Sequence, residues 1–188
     1  MPSRTAGMNI GYELPAAVRS VRDSWSATAA KAASICALFA VAETQLLVFV
    51  KDPMNFQQPT HHTAMKALLA FSYSGLVLGV SGAVSSLVLI DVFGEMGVRA
   101  SRTQTIDTIT SGTVIADDAK VLEMFGARRS LRWWALHWTL TMLAMTFSIL
   151  TQILLYIWLQ ESRSIQITAT IVVAFSAAPL LYFIPRCI

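Results

Sequence analysis

The chain has 188 residues, of which 55% are hydrophobic and 13% are charged, and its mean hydropathy is +0.58. Soluble domains carry roughly 25% charged residues, so this composition excludes an ordinary soluble domain and predicts an integral membrane protein. The net charge of +3 is too small and too dispersed to predict nucleic-acid binding. The two cysteines have neither disulfide nor metal-ligand spacing.

Residues 1–26 are predicted to form a cytoplasmic segment ahead of the transmembrane domain, which takes residues 27–188. Apolar residues recur in this segment at spacings of four, three and four, at Leu14, Val18, Val21 and Trp25. That spacing is typical of an amphipathic helix. Such a helix would either lie on the membrane surface or continue the first membrane-spanning helix, and the sequence leaves both readings open.

Four apolar segments follow, each near or above the roughly 20 residues that a membrane-spanning helix requires. They are predicted at residues 27–50, 64–93, 133–159 and 165–184. The connection between the second and third segments, 94–132, is long and polar, and its stretch 116–125 is predicted to form a short helix. The sequence therefore predicts an all-α membrane protein with four transmembrane helices.

Lys and Arg residues are distributed unevenly about these segments. Eleven of the 14 lie before the first segment and at its start, in the 94–132 loop, or in the C-terminal tail, whereas Lys51, Lys66 and Arg163 lie on the other side. Because cytoplasmic sides carry an excess of Lys and Arg, both termini and the loop are predicted to be cytoplasmic. The expected location is a membrane crossed several times, either the plasma membrane or the endoplasmic reticulum.

Small residues recur along the first two predicted spans, and in lipid such residues mark the surfaces where helices pack. On the second span they are Ser72, Gly75, Gly79, Gly82 and Ser86. On the first span they are Ala30, Ala33, Ala37, Ala40 and Thr44. We predict that the two spans pack as a close antiparallel hairpin; whether these seams face each other or a second subunit stays open.

One carboxylate, Glu43, lies within the first span, where an ionisable group is costly enough to suggest a function. Counting about 1.5 Å per residue from the outer ends of the spans places Glu43 and Gln152 at the same depth, about 10 Å. Ser72, Tyr73 and Thr170 fall at a similar depth. We predict an outer polar layer or ion site of Glu43, Gln152, Tyr73 and Thr170, in which desolvation leaves a lone acid largely neutral.

Nearer the cytoplasmic end, Lys31 and Asp91 lie at matching depths, and we predict that they pair. No residues have the spacing of a metal site or of a catalytic nucleophile and base, since His137, Asp91 and Glu95 are too few. We therefore expect a non-catalytic protein without a cofactor. Its expected partners are the lipid bilayer and, in one reading, further copies of the chain, and the sequence identifies no small-molecule ligand.

The stretches LLAFSYSGLVLGVSGAVSSLVLIDVFGEM (68–96), RRSLRWWALHWTL (128–140) and TQILLYIWLQES (151–162) resemble small four-span membrane proteins of mushroom-forming fungi. The resemblance extends from the first span to the last. It implies a fungal protein with four spans, and it implies no particular activity.

Two shorter stretches, VAETQL (41–46) and TQILLYIW (151–158), are similar to segments of Orai calcium channels, which also have four spans and cytoplasmic termini. In that family a ring of Glu residues, one from each subunit, forms the selectivity filter, so the resemblance implies an oligomeric cation channel with Glu43 in the pore. The chain departs from the family at Cys36, where a bulky apolar residue would line the pore, and at Lys51, where the outer mouth would be acidic. An Orai-like channel is thus the alternative to a structural or interaction role.

Overall fold

The computed structural model describes residues 13–52, 62–101, 122–127 and 130–187, and within them all side chains except those of 62 and 179–187. The helices are α1 (Ala16–Lys51), α2 (His62–Gly94), α3 (Met96–Ala100), α4 (Leu131–Gln160) and α5 (Arg163–Cys187). The described residues contain no strand. The predicted all-α class is therefore confirmed.

Three helices are long and apolar enough to cross a membrane: Ala16–Lys51, Thr63–Ala100 and Leu131–Gln160. The second of these joins α2 to α3. The apolar part of α5 with described side chains, Arg163–Ala178, is shorter. By length and composition the three long helices indicate a membrane-embedded protein, as the sequence predicts.

The chain divides into two units, each built from parts of the long helices. Unit 1 is drawn from Met1–Ala32 and Ser85–Ala135, and unit 2 from Ala33–Val84 and Leu136–Ile188. The Glu43 region lies entirely in unit 2.

In unit 1 the N-terminal part of α1 is packed on its apolar side. Leu14 and Val18 are buried, and the ring of Trp25 lies against that of Phe93, with centroids 6.3 Å apart. The helix runs from Ala16 to Lys51 without a break, so no separate N-terminal helix occurs among the described residues. The described part of this segment thus belongs to the first long helix, and its apolar side chains find partners within unit 1; its position relative to the membrane surface stays a prediction.

The helix predicted at 116–125 lies mostly outside the described residues, which resume at Leu122. From there the chain makes a single helical turn that ends at Gly126, whose φ is 96°. Glycine adopts this left-handed conformation without the steric cost that a Cβ imposes, and a Cβ here would also lie 2.8 Å from the backbone nitrogen of Ala100. Leu122 and Phe125 are buried, so this turn packs within unit 1.

Unit 2 has polar side chains inside and large apolar side chains outside. Its buried polar residues are Glu43, Ser72, Thr141, Ser148 and Gln152. Its exposed apolar residues include Leu38, Val77, Phe147 and Phe175. Water disfavours apolar surface of this extent, whereas lipid solvates it and requires polar groups to find partners inside the protein. The arrangement therefore fits a bilayer environment.

Candidate functional site

Three contacts bring α1 against α2 in antiparallel order: Glu43 with Gly75, Ala40 with Gly79, and Cys36 with Gly82. A Cβ atom added at these glycines would lie between 2.8 and 3.3 Å from the nearest atom of α1. Such distances are at or below the limit for carbon atoms, so the helices approach this closely only because the glycines have no side chain. The structure thus places the glycine seam of α2 against α1 of the same chain.

The alanine seam predicted on α1 differs from the observed one. The face of α1 that meets α2 runs through Cys36, Ala40 and Glu43, whereas Ala37 is exposed and Ala33 is only half-buried. This stretch of α1 has small residues on several sides, so their spacing alone does not select one face. Glu43 determines which face of α1 packs against α2, because its carboxyl group must point into the protein. Ala40 and Cys36 lie three and seven residues before Glu43, on the same face.

Glu43 is enclosed by α2 and α4. The residue is 1% exposed, and Gln152 in α4 is 2% exposed. With its nitrogen towards the acid, the Gln152 amide donates hydrogen bonds of 2.7 Å to Oε2 and 3.0 Å to Oε1 of Glu43. Its oxygen then accepts a hydrogen bond of 2.9 Å from the hydroxyl group of Ser72 in α2. We name Glu43, Ser72 and Gln152 the Glu43 cluster; it links three helices.

Two serines extend this hydrogen bonding. The Ser72 hydroxyl group also lies 3.0 Å from the carbonyl oxygen of Leu68 in its own helix. One turn before Gln152, the Ser148 hydroxyl group donates a hydrogen bond of 3.0 Å to the Phe71 carbonyl oxygen of α2. Polar side chains of α4, Ser148 and Gln152, therefore meet α2 at two successive turns, and such polar contacts are typical of helix packing in lipid.

Tyr73 and Thr170, predicted members of the outer polar layer, do not join the Glu43 cluster. Tyr73 is 45% exposed, and the Lys51 ammonium group lies 5.2 Å from the centre of its ring. The Thr170 hydroxyl group accepts a hydrogen bond from the Trp158 indole and donates one to the Gln166 carbonyl oxygen. Counting residues along a helix gives the depth of a side chain but not its direction, and Ser72, one position before Tyr73, is the residue that points inward.

The predicted pair of Lys31 and Asp91 is not formed. Both residues are exposed, and the ion pairs among the described residues are Arg19–Glu13, Arg22–Asp23 and Arg99–Glu95. The neighbouring buried positions are Ala29, Ala32, Leu89 and Val92. Lys31 and Asp91 therefore lie on the outward faces of their helices, where each charge reaches the surface without a partner helix.

A second contact among α1, α2 and α4 is made by sulfur atoms. The thiol of Cys36 lies 3.0 Å from the thioether sulfur of Met142, and Cys36 is fully buried. A Cβ at Gly82 would lie 2.8 Å from the same thiol sulfur. This contact lies about two helical turns from Glu43 along α1.

Within the described parts of the chain, no group of three or more His, Cys, Asp or Glu residues could hold a metal ion. No family model, curated protein or solved structure matches the chain. The functional argument therefore depends on the Glu43 cluster itself. Sequence reasoning placed Gln152 and Ser72 at the depth of Glu43, but it named Tyr73 instead of Ser72 in the polar layer. The position of Ser72 three residues before Gly75, in the same seam, would have indicated that it points inward.

Proposed function

We propose that this chain is a multi-pass integral membrane protein with a non-catalytic role, either structural or in interaction with other membrane components. The burial of Glu43 carries the proposal, since the residue is 1% exposed within a single chain. Its carboxyl oxygens have hydrogen-bond partners in the same chain. An ionisable side chain at membrane depth that is satisfied in this way acts as an internal link between helices.

The proposed topology has four spans with both termini in the cytoplasm. Helix α5 supplies the fourth span, because its 25 residues exceed the roughly 20 that a span requires. Its exposed side chains include Ile167, Ile171 and Phe175, which suit a lipid-facing surface. The excess of Lys and Arg at the N-terminus and in the 94–132 loop supports the orientation.

An Orai-like channel is the function against which this proposal is tested. In such a channel Glu43 would point at an axis shared by several subunits, with water on one side of the carboxyl group. Contact with Gly75 and Gln152 of its own chain favours the closed arrangement instead. The two functions therefore predict different results for a conservative change at Glu43.

The deciding experiment measures cation flux and particle mass on the purified full chain. We expect proteoliposomes with the wild-type protein to show no more calcium or sodium flux than empty liposomes, and the protein in detergent to have the mass of a monomer or dimer. Gln45→Asn, an exposed position on α1, is the control for Glu43→Gln. Flux through the wild type and the control that Glu43→Gln abolishes would establish the channel and overturn the proposal.

A further inference from the structure

Four polar groups form a continuous buried row in unit 2. The Glu43 carboxyl group lies 2.7 and 3.0 Å from one end of the Gln152 amide, and the other end lies 2.9 Å from the Ser72 hydroxyl oxygen. That oxygen lies 3.0 Å from the carbonyl oxygen of Leu68. All four residues are at most 2% exposed. The hydrogen bonds along this row must therefore be satisfied by its own members.

When Glu43 is ionised, the row has one complete arrangement. The carboxylate has no hydrogen to donate, so the Gln152 nitrogen must face it and donate to both oxygens. The amide oxygen then faces Ser72 and accepts its hydroxyl hydrogen. The Leu68 carbonyl oxygen keeps the backbone hydrogen bond that an α-helix provides.

When Glu43 is protonated, a second complete arrangement exists at the same atomic positions. The carboxyl O–H donates to the Gln152 oxygen, which faces Glu43 after the amide has turned by half a revolution. The amide nitrogen then donates to the Ser72 oxygen, and the Ser72 hydroxyl hydrogen goes to the Leu68 carbonyl oxygen at 3.0 Å. An amide is almost symmetric in shape, so the turn needs no movement of the helices.

Space around the carboxyl group restricts what it can bind. A Cβ at Gly75 would lie only 3.0 Å from the carboxyl carbon of Glu43, so the group is already in contact with the α2 backbone. A metal cation such as Ca²⁺ needs six to eight oxygen ligands at about 2.3–2.6 Å, and the row offers too few. A proton is the cation that fits.

Among the side chains that the structure describes, no charged group of the neighbouring helices contacts the carboxyl group. None of the described ion pairs includes Glu43, and its described partners, Gly75 and Gln152, are uncharged. Among the described side chains of these helices in unit 2, the other titratable residues are Cys36 and Lys51 in α1, Lys66 and Tyr73 in α2, and His137 and Tyr156 in α4. None of these makes a described contact with the carboxyl group, whose described hydrogen-bond partner is the Gln152 amide.

We propose that the Glu43 cluster is a proton-binding site. Uptake of one proton by the Glu43 carboxylate turns the Gln152 amide by half a revolution. The Ser72 hydroxyl group then donates its hydrogen bond to the Leu68 carbonyl oxygen instead of to the Gln152 oxygen. The proton comes from hydronium in the surrounding water: one O–H bond of the hydronium breaks, leaving water, and one O–H bond forms on the carboxylate. The site deepens the proposed function, since it requires the closed arrangement around Glu43. In both arrangements each group of the row has at least one hydrogen-bond partner, so the bundle stays folded in each.

Infrared difference spectroscopy of the full chain in liposomes tests this proposal, with glutamine labelled with ¹³C at its side-chain carbonyl. We expect a carboxyl C=O band to appear as pH is lowered from about 10 to about 3, an interval that ends below the ordinary glutamate pKa of about 4.3. We expect the labelled band of Gln152 to shift with the same midpoint. Glu43→Gln removes the Glu43 part of the carboxyl band, which is read as the difference from the wild type, and it removes the shift of the labelled band. Gln152→Met keeps the Glu43 carboxyl band to a higher pH, because the ionised acid then has no donor.

Two matched controls accompany these variants. Gln45→Met removes an exposed glutamine from α1 and leaves both bands unchanged, whereas Gln152→Met removes the labelled shift, which assigns that shift to Gln152. Ser74→Ala removes a hydroxyl group that, like that of Ser72, donates to the carbonyl oxygen four residues earlier, and it also leaves both bands unchanged. In contrast, Ser72→Ala shifts the common midpoint of the two bands, since the far end of the Gln152 amide then has lost its partner in both arrangements.

A Glu43 carboxyl band that is constant over the whole pH interval would overturn the proposal. So would a carboxyl band that titrates while the Gln152 band of the folded wild type stays fixed. These outcomes are distinct from failure of the proposed function, which is read from cation flux and particle mass. A channel would conduct cations, whereas a closed bundle without a proton site would give neither flux nor a coupled infrared change.

Discussion

The α-carbon of Gly75 lies directly against the carboxyl group of Glu43, so that even one added methyl group would lie 3.0 Å from the carboxyl carbon and 3.2 Å from Oε1. The only glycine-specific requirement here is space, because the helix is regular at this position. The close approach of the Glu43 carboxyl group to α2 thus depends on the absence of a side chain at Gly75.

Gly75→Ala is therefore expected to displace the Glu43 carboxyl group and weaken its bonds to Gln152. We expect the free energy of unfolding to fall by about 1–3 kcal/mol, which is usual for an overfilled site. Denaturation of the protein in mixed micelles, followed by circular dichroism, measures it. Gly94→Ala is the control, because a Cβ there meets nothing within 4 Å; equal effects of the two substitutions would contradict the prediction.

Gln152→Met is expected to lower the free energy of unfolding by about 1–3 kcal/mol, the cost of a buried polar group without its partner. The double variant Glu43→Met with Gln152→Met is expected to be more stable than Gln152→Met alone, because two apolar side chains of similar length then replace the pair. The same denaturation assay on the wild type, both single variants and the double variant gives the coupling energy. Additive losses would show that Glu43 and Gln152 do not depend on each other.

Gly82→Ala is expected to destabilise the protein, because the new Cβ would lie 2.8 Å from the Cys36 thiol sulfur. Cys36→Ala should relieve this clash, since the next atom, the Met142 sulfur, lies at an ordinary 3.6 Å. We expect the double variant to recover at least about 1 kcal/mol relative to Gly82→Ala, the lower end of overpacking costs. Thermal unfolding in detergent measures the recovery, and a double variant less stable than Gly82→Ala would refute the contact.

Trp25→Ala is expected to destabilise unit 1 because the indole packs on the ring of Phe93. Trp133→Ala is the matched control, since that side chain is 72% exposed in the same unit. We expect Trp25→Ala to cost at least about 1 kcal/mol more than the control, because it removes both packed apolar area and an aromatic pair. Equal destabilisation in thermal unfolding would indicate that the N-terminal part of α1 lies on the membrane surface instead of packing within unit 1.

Sequence reasoning predicted the long helices well, because a long apolar stretch in lipid has few conformations other than a helix that satisfy its backbone hydrogen bonds. It also brought Glu43 and Gln152 together, since both depths are counted from the outer ends of apolar stretches. The direction of a side chain is harder to predict than its depth: Tyr73 and Ser72 differ by one residue, and only the packing of glycines on α1 decides which points inward. Ala37 was assigned to the wrong face for the same reason.

Lys31 and Asp91 show a further limit. Matching depth and opposite charge predicted an ion pair, yet each residue lies on an outward face of its helix. Exposed ion pairs contribute little to stability, so no strong force turns such residues towards each other.

The link between Glu43 and Gln152 joins residues that are 109 positions apart in the chain. A ribosome adds about 5–20 residues per second, so Glu43 is synthesised roughly 5–20 s before its partner exists. Over that interval the antiparallel contact with Gly75 is available, whereas the amide is not. Newly made protein thus passes through a stage in which Glu43 has no amide donor. During that stage the surroundings of the nascent hairpin must accommodate the unpaired carboxyl group.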